Sequence, residues 1–330
     1  MASELVSLLA GHPLVLGVAV LADLAIGDPV YRWHPIRLIG RTLTSVESGL
    51  RRLGLDGYAG GIALFLLLAA GWIAAVSALV AAADRVAPWL AWLLHACFVY
   101  SLLALGDLIR HVLRVERALT RGDLQAAREA IRQLVGRDTE TLDAAACRRA
   151  AIESLSENLT DGFTSPLFWY IAGGLPGLVL FKVVSTMDSM VGYRTPRYLR
   201  FGWCGARLDD VMNFVPARIT WLQIAAVALI TPRSSSRKAL VVGLRQHAVL
   251  PGPNSGWSEA ATAGAIQRRL VGPICIEQRL VTDRWIGYPS DPPAGTHDDV
   301  IAALRLAVIT GCVAAALASV ALLVVQSSLP

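Results

Sequence analysis

The sequence has little charge. Charged residues make up 17% of its 330 residues and hydrophobic residues 55%, whereas about 25% of the residues of a soluble globular protein are charged. Residues 58–83 and 306–329 contain no charged side chain at all. A helix of about 20 apolar residues spans the hydrocarbon core of a bilayer. The composition therefore predicts an integral membrane protein. It excludes a secreted enzyme, a nucleic-acid-binding protein and a disordered scaffold for the chain as a whole.

Several standard site motifs are also missing. The five cysteines are scattered and form no C-x-x-C pair, which excludes a zinc or iron–sulfur site of that type and a disulfide framework. The sequence has no G-x-x-x-x-G-K-[ST] phosphate loop, no G-x-G-x-x-G dinucleotide motif and no G-x-S-x-G nucleophile elbow. The N-terminus lacks a cationic region and an A-x-A cleavage site, so we expect its first apolar stretch to be retained as an anchor.

Lysine is scarce. Of the 30 basic residues, only Lys182 and Lys238 are lysine. A GC-rich genome is one explanation of this bias. The other is a functional demand for arginine, because its planar guanidinium binds phosphate and carboxylate through two parallel hydrogen bonds. The composition alone does not separate these two interpretations.

Six apolar segments organise the chain. Four of them are predicted to cross the membrane completely, namely residues 13–26, 58–83, 86–106 and 306–329. Only Asp84 and Arg85 separate the second from the third, which predicts a tight hairpin. Two further segments are interrupted, since residues 163–181 carry Gly-Gly-Leu-Pro-Gly in their middle and residues 219–230 follow Pro216. A broken helix is tolerated at membrane depth where it lines a protein-enclosed cavity, so we expect both to be re-entrant or interfacial.

The basic residues predict which loops are cytoplasmic. Residues 28–57, 110–162 and 233–299 together hold 22 of the 30 basic residues, so the positive-inside rule assigns them to the cytoplasm. Residues 185–210 carry four further arginines. They lie on the opposite side if all six apolar segments cross, and on the same side if neither broken segment crosses.

These patterns predict an all-α, polytopic integral membrane protein. It has about four full transmembrane helices, two broken or re-entrant apolar segments and cytoplasmic amphipathic helices. We expect one domain, 1–330, in which 107–162 and 233–299 are cytoplasmic helical and loop regions. One amphipathic helix is capped by Asp123 and a second begins near Asp138. The Gly- and Pro-rich residues 251–299 are predicted to form an ordered loop.

Three carboxylates recur at helical spacing beside an apolar segment. Glu153, Glu157 and Asp161 stand at i, i+4 and i+8, so a continuous helix would place them on one face. Like charges at this spacing repel, and the apolar sequence that follows raises the cost of ionised groups. A divalent cation removes the repulsion, and Asn158 adds an oxygen ligand of the kind that Mg²⁺ takes. The alternative is an acidic face neutralised by solvent or arginine.

A second polar cluster follows that apolar segment. Its chemically interesting members are Asp188, Tyr193, Arg194, Arg207, Asp209 and Asp210. Asp209 shares a helical face with Asn213 at i+4. An ionisable residue that enters a membrane segment is a functional candidate by default. The alternative is an interfacial salt bridge, such as Arg207 with Asp210.

Two smaller motifs add candidates. Arg37 and Arg41 stand at i, i+4 after His34, and this spacing suits either a phosphate clamp or a positive-inside anchor. Asn254-Ser-Gly-Trp257 is predicted to form a turn that enters a helix with Ser258 as its cap. Simple turn chemistry explains this second motif equally well.

These clusters, in this order, resemble one family over nearly the whole chain. They are similar to the adenosylcobinamide-phosphate synthases of cobalamin biosynthesis, the CobD/CbiB type. The shared motifs are Gly-Asp-Pro at 27–29, His-Pro at 34–35, Gly-Asp-Leu at 122–124, Gly-Arg-Asp at 136–138, Glu-Ser-Leu-Ser-Glu-Asn-Leu-Thr-Asp-Gly at 153–162, Thr-Met-Asp-Ser-Met-Val-Gly-Tyr-Arg at 186–194, Phe-Gly-Trp at 201–203, Arg-Leu-Asp-Asp at 207–210, Pro-Asn at 253–254, Gly-Trp at 256–257, Glu-Ala-Ala at 259–261 and Trp-Ile-Gly at 285–287. The chain departs from the family at Ser258, Thr262 and 272–276, where the family usually has Pro, Met and Gly-Pro-x-Tyr-Tyr.

The resemblance implies a ligase of the bacterial inner membrane that uses ATP and Mg²⁺ in cytoplasmic loops. It joins the free carboxylate of adenosylcobyric acid to the amine of (R)-1-amino-2-propanol or its phosphate. The implied partners are these substrates and the lipid bilayer, with other late enzymes of the pathway as candidate contacts and no nucleic acid. The alternatives are a magnesium-dependent intramembrane transferase and a transporter of a corrinoid or another small molecule.

This chemistry assigns roles to the candidate residues. The metal-ligand candidates are Glu153, Glu157, Asn158, Asp161 and Asp209. The catalytic candidates are Glu157, Asp161, Asp188, Asp210 and His34, of which Asp210 and His34 are alternative bases for the incoming ammonium. The candidates for binding phosphate or substrate are Arg37, Tyr193, Arg194, Arg207, Asn254 and Trp257.

The carboxylate cluster generates a first prediction. We expect Glu157→Gln to abolish amide formation, because the substitution removes a negative oxygen ligand from the metal. Insertion into the membrane should be unchanged, and fractionation with detergent extraction checks this. Full activity of the variant at limiting Mg²⁺ would contradict the assignment.

Overall fold

The structure is a computed structural model that describes residues 2–29, 31–134, 138–276 and 279–328. The predicted all-α class is confirmed. In chain order the helices are α1 (Ala2–Leu9), α2 (Pro13–Ile26), α3 (Pro35–Arg52), α4 (Tyr58–Val86), α5 (Pro88–Leu102), α6 (Leu105–Thr120), α7 (Leu124–Arg132), α8 (Ala144–Leu159), α9 (Ser165–Val191), α10 (Trp203–Met212), α11 (Phe214–Val227), α12 (Ser236–Gln246), α13 (Ser255–Ile266) and α14 (His297–Ser328). A π-helix, Thr160–Thr164, follows α8, and a short 3₁₀ helix, His247–Val249, follows α12.

Five helical stretches in the described ranges are long and apolar enough to cross a membrane, so the chain is a polytopic membrane protein. They are Val6–Ile26, Tyr58–Val86, Pro88–Thr120, Ala144–Val191 and His297–Ser328. Four of them overlap the predicted full spans, although 86–106 begins two residues before its helical stretch and 306–329 ends one residue beyond its own. The fifth contains the interrupted residues 163–181, for which the sequence predicts a re-entrant or interfacial segment. The helix Phe214–Val227 is apolar but shorter.

The predicted hairpin at Asp84 and Arg85 is wrong by about two residues. Helix α4 includes both Asp84 and Arg85 and ends at Val86. The next residue, Ala87, has an extended backbone (φ −163°, ψ 133°). Pro88 then occupies the first turn of α5. Proline disfavours helical backbone in the residue before it but fits the start of a helix, so Pro88 sets the boundary here rather than the charged pair.

The predicted interruption inside residues 163–181 is confirmed. Gly173 (φ −138°, ψ 15°) and Gly174 (φ 58°, ψ −151°) leave helical geometry in the middle of α9. The positive φ of Gly174 is tolerated by glycine. A Cβ at this position would overlap the carbonyl oxygen of Leu9. The break therefore lets the backbones of α1 and α9 approach each other closely.

The chain folds into two compact units. Unit 1 comprises Met1–Ala104, Ser165–Asn213 and Ala315–Pro330, and unit 2 comprises Leu105–Thr164 and Phe214–Ala314. The sequence predicts one domain with two cytoplasmic regions. Both of these regions, residues 107–162 and 233–299, fall in unit 2.

Unit 1 buries polar groups in pairs. The imidazole Nε2 of His95, the residue that interrupts the apolar sequence of α5, lies 3.0 Å from the hydroxyl of Tyr170 on α9. That hydroxyl also accepts the backbone N–H of His12 at 3.1 Å. Polar groups inside membrane segments need such internal partners, because lipid offers none. The pairing explains how apolar helices accommodate His95.

Unit 2 contains the predicted amphipathic helices. Asp123 caps α7 as expected, since its carboxylate accepts the N–H of Ala126 at 2.9 Å. The second helix begins at Ala144 rather than near Asp138, because Asp143 is the cap and accepts the N–H of Ala146 at 2.7 Å. An Asp followed by a helix-forming Ala-Ala-Ala run gives the stronger start signal.

Residues 251–299 are more regular than the predicted loop. They contain α13, the start of α14 and four short strands, namely β1 (Leu270–Val271), β2 (Ile274–Ile276), β3 (Arg279–Thr282) and β4 (Trp285–Ile286). Strand β1 pairs antiparallel with β4, and β2 with β3. The predicted cap Ser258 is wrong. The cap position is Asn254, and Ser258 is fully buried within α13, where its hydroxyl donates to the carbonyl of Ser255.

Close helix packing in unit 1 gives a prediction. Gly61 of α4 faces the backbone of Phe201 so closely that a Cβ would overlap its carbonyl oxygen, whereas Gly71 of the same helix has nothing within 4 Å. We expect Gly61→Ala to destabilise the protein by about 1–3 kcal/mol, because overpacking forces the backbone apart. Gly71→Ala is the matched control and should leave the thermal transition in detergent unchanged. Equal transitions for the two variants would contradict this packing.

Candidate active site

Aspartates from two helices meet in unit 1. Asp188 lies in the last turn of α9, where its carbonyl accepts the N–H of Gly192 at 2.8 Å. Asp209 lies on α10, and its carboxylate accepts the side-chain N–H of Asn213 at 3.0 Å. The buried Asn213 in turn accepts a hydrogen bond from the hydroxyl of Ser165. The predicted i, i+4 pairing of Asp209 with Asn213 is thus present and anchors the Asp209 carboxylate.

The carboxylate of Asp209 sits in an unfavourable electrostatic environment. Burial raises its pKa to about 7, and the neighbouring charge of Asp188 adds to this, followed by a smaller contribution from Asp210. The hydrogen bond from Asn213 and the charge of Lys182 act in the opposite direction but only partly offset the increase. Negative charge is therefore crowded at this point of unit 1.

Lys182 is a candidate that the sequence reasoning missed. It is 8% exposed and precedes Asp188 by six residues on α9. Its charge acts on Asp209. A signal existed in the sequence, because it is one of only two lysines and it directly follows an apolar run. An ionisable residue in such a position is energetically costly and is by default a functional candidate.

The arginines near this cluster fall into two groups. Arg207 pairs with Asp210 at 3.3 Å, which is the salt bridge considered as an alternative above. Tyr193 and Arg194 are exposed in the segment after α9. Arg37 is exposed on α3, a helix that contacts α9 where Gly40 faces Met190. Arg37 and Arg194 are therefore accessible to an anionic ligand, whereas Arg207 is engaged with Asp210.

A buried glutamate fixes the arginines beside this segment. Glu47 of α3 accepts hydrogen bonds from Arg51 at 2.8 Å and from Arg197 at 3.2 Å. The hydrogen bond with Glu47 raises the pKa of Arg197. The guanidinium of Arg51 also lies 4.3 Å from the ring centre of Phe201. These contacts tie the segment between α9 and α10 to α3.

His34 has a defined partner. Its Nε2 lies 2.8 Å from the carboxylate of Asp28, and the ring is 3% exposed. Tyr31 packs edge-on against the imidazole. A carboxylate partner fixes the orientation of an imidazole ring. This arrangement suits a proton carrier, but the pairing equally anchors the chain between α2 and α3.

The predicted carboxylate cluster of Glu153, Glu157 and Asp161 lies in unit 2. Its first member is already engaged in contacts with the protein. The Glu153 carboxylate accepts the backbone N–H of Val271 at 2.8 Å and lies 3.9 Å from Arg149 Nε. It therefore fixes β1 against α8. Its assignment as a metal ligand stays a prediction that these contacts do not support.

The remaining members of that cluster lie on a change of helix type. Glu157 and Asn158 are half-buried near the end of α8, and the side-chain amide of Asn158 donates to the carbonyl of Ser154 at 2.9 Å. Asp161 follows inside the π-helix. A π-turn uses i→i+5 hydrogen bonds and shifts the phase of the side chains beyond it. A continuous α-helix would place Asp161 on the same face as Glu153 and Glu157. The π-helix changes this spacing, so Asp161 departs from that face.

Asn254 and Trp257 are buried in unit 2. Asn254 accepts a hydrogen bond from Arg218 at 3.2 Å, and His247 stacks on the Trp257 indole at 3.9 Å between ring centres. The Arg218 guanidinium also lies 4.9 Å from the centre of the Trp257 ring. The indole N–H of Trp257 has no hydrogen-bond partner among the described residues. These contacts are typical of a packed core that holds the Arg218 side chain. His247 belongs to this core and was not predicted from the sequence.

Mg²⁺ is the metal that the resemblance implies, and its fit rests on donor chemistry. The described residues contain no group of three or more His, Cys, Asp or Glu arranged around one point. Magnesium is commonly held by only one or two carboxylates together with substrate phosphates. Asp188 and Asp209 supply two carboxylates whose mutual repulsion a cation would relieve. They fit such a site by chemistry and charge.

The other motif residues are placed as follows. Trp285 of the Trp-Ile-Gly motif lies in β4 of unit 2, with Arg149 and Arg269 both about 5 Å from its ring centre. Gly136 and Arg137 of the Gly-Arg-Asp motif lie outside the described residues.

Comparison with known proteins gives a consistent result. A family model described as "CobD/Cbib protein" matches residues 16–307. "Cobalamin biosynthesis protein CobD" of a Sinorhizobium species is 42% identical over 294 residues, which cover 86% of this chain and 90% of the relative. A protein of the same name from Klebsiella pneumoniae is 37% identical over 304 residues, covering 91% and 94%. "Cobalamin biosynthesis protein CbiB" of Salmonella typhi is 37% identical over 305 residues, covering 91% and 94%.

No solved structure matches the chain. The family model covers well over half of its length, and the relatives match at identities above 30% over nearly their full lengths. The chain therefore belongs to the CobD/Cbib family.

Proposed function

We propose that this protein is an ATP-dependent amide ligase of cobalamin biosynthesis. It joins the free carboxylate of adenosylcobyric acid to the amine of (R)-1-amino-2-propanol or its phosphate. The relatives' names refer to the same pathway. The observation that supports the reaction most is the crowding of Asp188 and Asp209 beside Lys182 in unit 1, because such a charge arrangement suits a magnesium-bound nucleotide.

The chemistry requires activation of a poor acyl donor. A carboxylate oxygen attacks the γ-phosphorus of ATP and releases ADP, which leaves an acyl phosphate. The amine then attacks the acyl carbon, phosphate leaves, and the ammonium proton passes to a base. The chemistry that Mg²⁺ would supply when bound is neutralisation of charge on the phosphates. Water must be kept from the acyl phosphate, since hydrolysis would waste it.

The residues of unit 1 divide this work. Asp188 and Asp209 would hold the cation, and Asn213 holds the Asp209 carboxylate in place. The buried ammonium of Lys182 and the exposed guanidinium of Arg194 stabilise negative charge that develops on phosphate oxygens. Exposed Arg37 on α3 is a further phosphate ligand.

Two residues remain as the base for the incoming ammonium. Asp210 is half-exposed, and its carboxylate forms a salt bridge with Arg207 at 3.3 Å. His34 is buried against Asp28 at 2.8 Å. In unit 2, Glu157 and Asp161 remain candidate metal ligands, and Asn254 and Trp257 remain candidate substrate contacts.

We further propose that the protein resides in the bacterial inner membrane with its active-site loops in the cytoplasm. The arginine-rich segments of both units support this orientation through the positive-inside rule. ATP is found in the cytoplasm, so this orientation also gives the active site access to ATP. Other late enzymes of the pathway are candidate contacts on that side.

A transporter is the second candidate, and the interruption of α9 at Gly173 and Gly174 favours it. Transporters commonly use discontinuous helices around a midplane site. They move a substrate without forming a new bond, which gives a clear experimental difference from a ligase.

The test uses the full chain purified in detergent. With adenosylcobyric acid, aminopropanol phosphate and Mg-ATP, we expect an amide product and one ADP for each amide formed, detected by mass spectrometry and a nucleotide assay. Omission of ATP should abolish the product. Absence of amide with aminopropanol and with its phosphate would contradict the ligase. Uptake of corrinoid into liposomes without ATP would support the transporter instead.

The raised pKa of Asp209 gives a prediction about pH. A carboxyl whose folded-state pKa of about 7 lies above its ordinary value of 3.8 adds stability below about pH 4, and this stability is lost as the pH rises through 7. Without Mg²⁺, we expect the melting temperature of the wild type to fall between pH 5 and pH 8 more steeply than that of Asp209→Asn. Added Mg²⁺ at pH 8 should stabilise the wild type but not the variant.

The exposed Asp84 provides the matched control, and Asp84→Asn should follow the wild type at every pH. If Asp209→Asn melts in parallel with the wild type and responds equally to Mg²⁺, the Asp209 carboxylate neither titrates near neutral pH nor binds the cation.

A further inference from the structure

A positively charged pair of helices in unit 2 has no role in the proposed reaction. It consists of α11, α12 and the turn between them, residues 214–246, and we call it the basic hairpin. From residue 211 to residue 258 the sequence contains no aspartate and no glutamate. The same stretch contains five basic residues, namely Arg218, Arg233, Arg237, Lys238 and Arg245. No acidic residue of the hairpin itself therefore offsets its positive charge.

The rest of unit 2 neutralises only one of these cations by direct pairing. Lys238 forms a salt bridge with Asp291 at 2.7 Å. Across the described residues, the four arginines of the basic hairpin form no ion pair. Their charge is thus available to an anionic partner.

The exposed face of α11 is apolar apart from one arginine. Phe214, Val215 and Leu222 are 49%, 47% and 51% exposed, and Leu229, just beyond the helix, is 75% exposed. Arg218 stands four residues from both Phe214 and Leu222, which places all three on one helical face. Helix α11 is apolar but shorter than the helices that could cross a membrane. An apolar face that carries a basic residue on a short helix is typical of a helix at the bilayer interface.

Helix α12 has the same character. Its exposed side chains include Arg237, Leu240, Leu244 and Arg245. Trp221 of α11 packs the two helices together, because its indole N–H donates to the carbonyl of Ala239 at 3.3 Å. A Cβ at Gly243 would overlap the same indole ring. The two helices of the hairpin are therefore closely packed, and each exposes both leucine and arginine or phenylalanine and arginine.

The guanidinium of Arg218 is held in place with one edge free. Its Nη1 donates to the carbonyl of Phe214 at 2.6 Å and to Asn254 Oδ1 at 3.2 Å. Its Cζ lies 3.5 Å from the ring centre of Phe214 and 4.9 Å from that of Trp257. In the part of the chain that the structure describes, Nε and Nη2 donate to no acceptor, and neither nitrogen is buried. These two nitrogens form an edge that can bind a phosphate through two parallel hydrogen bonds.

We propose that the basic hairpin binds an anionic phospholipid. The Nε and Nη2 edge of Arg218 receives the phosphodiester, and the acyl chains lie against the exposed apolar side chains of α11. The other unpaired arginines of the hairpin attract the negative charge of the headgroup and of its neighbours in the bilayer. A soluble anion would pair with Arg218 but would leave the apolar face in water, so this face favours a lipid. Binding requires neither ATP nor a corrinoid, so it is independent of the proposed reaction.

The experiment measures lipid binding to the full chain in a non-ionic detergent without nucleotide. The probes are dioctanoyl phosphatidylglycerol, dioctanoyl phosphatidylcholine and glycerol 3-phosphate, and native mass spectrometry counts the bound molecules over a concentration series. We expect phosphatidylglycerol to bind at least about tenfold more tightly than phosphatidylcholine, whose ammonium the unpaired arginines repel. Glycerol 3-phosphate should bind at least about tenfold more weakly than phosphatidylglycerol, because it lacks acyl chains. Equal affinity for the two lipids, or for phosphatidylglycerol and glycerol 3-phosphate, would overturn the proposal.

Variants of Arg218 assign the headgroup. Arg218→Gln should weaken phosphatidylglycerol binding about fivefold or more, which corresponds to the loss of one basic residue at an anionic surface. Arg218→Lys should also weaken it, because an ammonium keeps the charge but lacks the planar two-point edge. Arg121→Gln is the matched control, since Arg121 is an exposed arginine elsewhere in unit 2. Wild-type affinity of Arg218→Gln for phosphatidylglycerol would show that the lipid does not bind at Arg218.

Variants of exposed leucines assign the acyl chains. Leu222→Ser should weaken the binding of phosphatidylglycerol about fivefold, because the chains lose an apolar contact. Leu280→Ser, at an exposed position of β3, is the matched control and should bind like the wild type. These variants keep the contacts of Arg218 with Phe214 and Asn254, so they test the proposal even if Arg218→Gln fails to fold. Unchanged binding in Leu222→Ser would contradict a lipid on this face.

Discussion

An ionised side chain inside an apolar helix costs free energy unless a partner compensates it, and this cost determines where the charges of the chain lie. The spans 58–83 and 306–329 carry none. Several charges near the spans are paired, as Glu47 is with two arginines and Glu153 is with a backbone N–H and Arg149. Crowded carboxylates such as Asp209 stand out against this rule, and they mark the position where a cation would be stabilising.

Close packing provides the rigidity that such a site needs. Gly61 meets the Phe201 backbone, and Gly174 lets the α9 backbone approach Leu9. The same segment that Gly61 contacts leads from α9 to α10 and carries Arg197, which Glu47 holds. Asp188 and Asp209 thus project from helices whose ends are fixed by backbone contacts. Carboxylates fixed in this way would hold a cation without further rearrangement, and the cation would stabilise developing negative charge.

Some local signals in the sequence predicted local structure correctly, although the Asp84–Arg85 hairpin, the helix start near Asp138 and the Ser258 cap were misplaced. The Asp123 cap and the break at Gly173 and Gly174 each depend on a few neighbouring residues, and both are present. The Arg207–Asp210 pair, which the sequence offered only as the alternative to a functional role, is present as well. Features that depend on distant residues could not be predicted in this way. The partner of Glu153 is Val271, 118 residues away along the chain. This contact gives Glu153 a structural role in a motif for which the sequence predicts metal binding. The role of Lys182 depends on the position of α10, which brings Asp209 close enough for the two charges to interact.

We propose that this protein activates a corrinoid carboxylate by phosphoryl transfer before the amine attacks. Oxygen-18 in the carboxylate of adenosylcobyric acid tests it most directly, because the attacking oxygen must leave with the phosphate. We expect one labelled oxygen in inorganic phosphate for each amide formed, measured by mass spectrometry of the reaction with the purified protein. Label that appears in AMP, or phosphate that carries none while amide accumulates, would contradict it.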